Sequence, residues 1–119
     1  MASTAYSTSL SRTRSSQPGC SSATSIDPAK FGVPPARAED LRGRDATYNA
    51  EVVRRLLDGE PGPVRDAVLL NAGAALAVYD GGGAPLDESL AHGLDRAREA
   101  VDSGAARATL DRWVEATAR

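Results

Sequence analysis

Few residues in this chain have the types and spacing that chemistry requires. The densest candidate is "DESLAHGLDRARE", residues 87–99, which combines the sole histidine, His92, with four acids at helical spacing. Metal ligation and general acid–base work both use such groups. Here, however, the acids alternate with Arg96 and Arg98, the pattern of a solvated helix face. His92 falls off the Leu86–Leu90–Leu94 stripe, with Glu88 one turn earlier, and no Ser or Cys has a second base to activate it. The triple glycine Gly81–Gly83 precedes a helix, where phosphates can bind. It lacks the lysine of a P-loop, and no strand leads into it. Asp87 and Glu88 in the next turn suit a helix dipole and would repel a phosphate. The residues alone therefore assign no catalytic, substrate-binding or metal-binding side chain.

Four residues have structural chemistry to do. Asp45 stands where an N-cap belongs, ahead of "ATYNAEVVRRLL". Asn49 and Asn71 interrupt apolar faces, and a buried amide must find partners for its two donors and its carbonyl. Ligand contact would serve. Tethering a neighbouring loop or helix end is the preferred expectation for both, since buried polar groups are ordinarily satisfied within the protein. Trp113 is expected to pack on the face it shares with Ala106, Leu110 and Val114.

These residues must be positioned by helices. "DPAKFGVPPARAEDLRG" is a connector with an Asp-Pro turn and a short helical turn from Pro35 to about Leu41. A first helix runs from the Asp45 cap to Asp58, where Gly59 supplies a left-handed stop. Its apolar face is Ala46, Asn49, Ala50, Val53, Leu56 and Leu57. Pro63 opens a second helix ending near Tyr79, and from Ala67 to Val78 every residue but Asn71 is apolar or small. A third helix, Leu86 to about Asp102, carries Leu86, Leu90, Leu94, Ala97 and Val101 on one stripe. Ser103 and Gly104 interrupt before a last helix, about Ala105 to Thr117. No strand pattern appears, except for a few residues before Asp27.

The second helix poses the main problem. A helix apolar all round belongs in a core or a membrane, and a run of twelve residues falls short of the roughly 20 that span a bilayer. Either the three one-sided helices cover it as a small bundle, or it lies against a sheet supplied by another part of a longer chain.

Composition narrows the class. The chain has 119 residues, 41% hydrophobic and 25% charged, with aromatics at only 4%, so a soluble domain with an aliphatic, alanine-rich core is expected. The net charge is −2, but Arg12 and Arg14 lie ahead of the first acid, and from Asp27 onward 12 basic residues face 16 acidic ones. Mixed signs with an acidic excess argue against nucleic acid. Cys20 is the one cysteine, which excludes an internal disulfide and points to a reducing, cytoplasmic setting. No apolar run suits a membrane span or a secretory signal. Residues 1–26 are half Ser or Thr with no acid. They form an expected disordered leader, read as a tail or an out-of-frame segment in preference to a transit peptide. Residues 27–119 form the ordered part.

"DLRGRDATYNAEVVRRLLDGEPGPVRDAVLLNAGAALAVYD" (40–80) and "AREAVDSGAARATLDRWV" (97–114) resemble the C-terminal end of the anthranilate phosphoribosyltransferase family, of the glycosyltransferase family 3 fold. The resemblance runs from about Asp27 to the C-terminus. It implies a mostly α chain made of the C-terminal helices of what would be an α/β domain, roughly the last quarter of such an enzyme. It further implies a homodimer that uses magnesium to transfer the phosphoribosyl group of phosphoribosyl pyrophosphate to the anthranilate nitrogen, in tryptophan biosynthesis. The family's pyrophosphate loop, anthranilate-binding residues and acidic magnesium pair lie upstream, so no catalytic residue carries over, no metal is expected here, and the chain alone is expected to be inactive. The second helix would then pack on the absent sheet. Two departures stand out. The family usually has glycine where Arg44 stands; if that backbone is left-handed, arginine costs about 1 kcal/mol. The leader also does not match. The rival expectation is a non-enzymatic helical interaction module with an exposed apolar surface for a partner.

Overall fold

The computed structural model describes residues 24–81 and 83–118; the expectations for the leader up to residue 23, Cys20 and Gly82 lie outside them. Each helix starts and stops where local chemistry dictates. Asp45 is extended, and its carboxylate accepts from Tyr48 N at 2.8 Å, opening α1 (Ala46–Leu57). Pro63 occupies the first turn of α2 (Pro63–Tyr79), where its missing N–H is not needed. The third helix, α3, spans Leu86–Asp102, with Asp87 and Glu88 at its positive end. Gly104, at φ +82°, takes the left-handed conformation that lets the chain turn directly into α4 (Ala105–Thr117). Ahead of α1 lie two 3-10 turns, Pro28–Phe31 and Ala38–Leu41. The helical turn expected from Pro35 is thus shorter, because Arg37 is still extended. Among the described residues there is no strand.

The core is the seam between α2 and α3. Leu69 from α2 meets Leu90, Leu94, Ala97 and Val101 from α3, with Leu70, Leu76, Leu57, Phe31 and Ala106 around it. Two glycines set how close the helices come. A Cβ on Gly93 would sit 2.1 Å from Gly73 O, and one on Gly73 would sit 2.8 Å from Leu94 N. The backbones therefore touch, and only hydrogen fits at either position.

The small-bundle alternative fails on exposure. α2 buries only Leu69 and Gly73, while Val78 is 80% and Tyr79 84% exposed. Val68, Asn71 and Ala75 are exposed too. At 100° per residue, these five positions fall on the side of α2 away from Leu69 and Gly73. The other helices thus cover one side of α2 and leave the opposite side bare. α4 buries no residue at all.

Candidate functional site

The best-formed polar constellation is the entrance to α1. Asn49 Oδ1 accepts from Arg44 N at 2.9 Å, and Asn49 Nδ2 donates to Arg44 O at 3.0 Å. One amide thus holds both backbone groups of a residue five positions earlier, completing a clamp with the Asp45 cap. Gly43 lies against the same amide: a Cβ there would be 3.1 Å from Asn49 Oδ1. The anticipated penalty at Arg44 is absent, since among the described residues none other than glycine has positive φ. Its guanidinium lies 4.6 Å from the centroid of the Tyr48 ring instead. The clamp works from the surface, however, because Asn49 is exposed and not buried as its place on the apolar stripe predicts. Val53, on the same stripe, is 39% exposed: nothing among the described residues covers this part of α1.

Asn71 also lies exposed, against expectation. Its Nδ2 donates to Ala67 O, one turn back in its own helix, at 2.7 Å, so it ties no neighbouring segment. Trp113 is 65% and Val114 53% exposed; the packing expected of Trp113 does not occur, because α4 meets the rest only through its first turns, near Ala106. Asp45 and Asn49 come together at one helix end, while Asn71 and Trp113 stand on other helices.

Ion pairs fix the helix ends. Arg96 Nη1 donates to both oxygens of Asp80, at 2.7 and 2.5 Å. That hydrogen-bonded carboxylate raises the guanidinium above its ordinary, already high value. His92 Nδ1 is 3.8 Å from Asp80 as well, so the exposed histidine faces a carboxylate already engaged by arginine. Arg65 pairs with Asp102, Arg107 with Asp58, and Arg98 donates to Phe31 O at 3.0 Å. These long-range ties were not legible in the sequence, where each acid has several arginines within reach.

Open grooves lie among the described residues. One, of about 410 Å³, lies between the C-terminal ends of α1 and α3, lined by Leu57, Asp58, Gly59 and Val101–Gly104. Another, of about 490 Å³, is mainly apolar and lies between the C-terminal half of α2 and the start of α3, with Ile26, Val78, Leu86 and Leu90 in its walls. Neither gathers a general acid, a base and an anion site. Among the described residues no group of three or more His, Cys, Asp or Glu could hold a metal ion, and no helix is long and apolar enough to cross a membrane. The arrangement holds helices in place and leaves apolar surface open.

Residues 6–107 match the family described as "Glycosyl transferase family, a/b domain", and the chain belongs to that family. The match begins inside the Ser/Thr-rich leader, well ahead of the Asp27 start of the resemblance read from the sequence. Within the family, the chain is similar to proteins named anthranilate phosphoribosyltransferase: 66% identical over 96 residues to that of Nocardioides sp., covering 81% of this chain and 28% of the relative. The identity is 60% over 92 residues to that of Thermobifida fusca, 77% of this chain and 26% of the relative. To that of Streptomyces avermitilis it is 51% over 110 residues, 92% of this chain and 31% of the relative. The chain thus spans between a quarter and a third of the length of the curated relatives it matches.

Proposed function

We propose that this chain supplies the C-terminal helical part of an anthranilate phosphoribosyltransferase. The reaction is transfer of the phosphoribosyl group of phosphoribosyl pyrophosphate to the amino nitrogen of anthranilate, a step of tryptophan biosynthesis. The observation that carries this reading is the 66% identity over 81% of the chain to a protein of that name. The chain's part is support: the Asp45 cap and Asn49 clamp fix the entry to α1, and the Gly73–Gly93 contact fixes α2 against α3. Magnesium does not fit the described residues, which gather no carboxylate cluster; it and both substrates are held by the part of the enzyme that this chain does not span. By itself the chain is inactive. The family resemblance implies a homodimer for the complete enzyme, and the single cysteine of this chain is in keeping with a reducing, cytoplasmic setting.

A chimera tests this. When the matching 96 residues of the Nocardioides protein are replaced by those of this chain, phosphoribosyl transfer to anthranilate, followed by loss of anthranilate fluorescence, is retained to within about tenfold, because most swapped residues are identical. A folded chimera without transfer activity overturns the reading.

A further inference from the structure

The bare side of α2 identifies a partner. It presents Val68, Ala75, Val78 and Tyr79, with Asn71 as its polar member, and it borders the groove walled by Ile26, Leu86 and Leu90. A continuous apolar surface of this kind is normally covered. Three observations say by what. The family domain is α/β, whereas the described residues contain helices and no strand. The chain spans 28% of a relative 66% identical to it, so most of that relative's length lies beyond the segment matched here. And α2 is already packed on α3 along its other side, which makes it the one helix here with two apolar sides, the signature of an element placed between two layers.

We infer that this 119-residue chain, through the Val68–Tyr79 side of α2, captures the strand-bearing portion of a family α/β domain without a covalent link to it. The inference rests on the family reading above but not on activity: the partner is recognised by an apolar sheet face whose side chains fill the groove beside Val78 and Leu86. Because the α2–α3 seam is complete within the chain, the docking half is formed before the partner arrives, and little ordering is left to oppose binding.

The test co-expresses the chain with the Nocardioides protein truncated to remove its matching 96 residues, with a tag on the chain. The expected result is a one-to-one complex with a single melting transition above that of the chain alone. Val78→Asp and Val68→Asp each weaken it by more than about tenfold, as burying an unpaired carboxylate requires. Glu51→Gln, exposed on α1, changes nothing. A truncated partner that cannot fold without help is met by a second measurement: in the covalent chimera Val78→Asp lowers the melting temperature, while in the isolated chain it does not. The inference is overturned if no complex forms although the chimera folds, if binding ignores both aspartate variants, or if the chain alone dimerises through this side and Val78→Asp makes it monomeric. Docking that depends on Val78 in a pair or chimera without transfer activity leaves this inference standing and removes only the functional reading.

Discussion

α2 and α3 are equally long, 17 residues each, yet the more polar of the two is the better buried. α3 hides Leu90, Gly93, Leu94, Ala97 and Val101 along one stripe and turns its charges outward. α2, with almost no charge after Asp66, hides only Leu69 and Gly73. A one-sided helix needs one neighbour, and α3 has it. A helix apolar on both sides needs two, and among the described residues α2 has one. Burial here follows from how many partners the chain provides, not from how hydrophobic the helix is.

That contrast can be broken from the inside. Leu94, 1% exposed, is the centre of the seam, and Leu94→Ala is expected to destabilise the isolated chain by about 3 kcal/mol, seen as loss of the cooperative transition in a circular dichroism melt. Gly93→Ala adds a methyl where Gly73 O already stands. The clash is expected to outweigh the gain in helix propensity and to cost about 2 kcal/mol, read as a lowered denaturant midpoint. An unchanged midpoint would mean that the helices do not touch at this crossing.

The outer parts respond less. Asn49→Ala removes both bonds to Arg44 and is expected to cost about 1 kcal/mol, a partial loss because both groups can turn to water; nuclear magnetic resonance shifts confined to residues 42–46 would accompany it. Smallest are changes on bare surface: Val78→Asp and Trp113→Ala are each expected within about 0.5 kcal/mol of the parent in the isolated chain. A large loss from either would show that the face is covered and would erase the contrast between the two helices.

Much of the local structure was readable because it depends on neighbours in sequence. The Asp45 cap, Pro63 in the first turn of α2 and Gly104 at the α3–α4 junction fixed boundaries that hold to within a residue. The α3 stripe was readable too, except that Leu86, at the helix's first turn, is 45% exposed in the wall of the open groove beside Val78. Periodicity, by contrast, identifies an apolar face without saying whether the chain contains anything to cover it. Asn49, Asn71 and Trp113 were placed on such faces, and all three are exposed. The Gly73–Gly93 contact was missed for a related reason: a glycine within a helix signals close approach only when the opposing helix is known. No catalytic arrangement was legible in the sequence, where the acids of residues 87–99 alternate with arginines.

The uneven packing also sets a timetable for opening. Backbone amides near Leu90, Leu94 and Ala97, enclosed on the seam, should exchange with deuterium only through global unfolding, whereas those of α4, which rests on the body through a few residues near Ala106, should exchange through fraying that leaves the rest intact. A protease would then trim the molecule from the Trp113 end inward, and the last piece to survive would be the α2–α3 pair held at its two glycines.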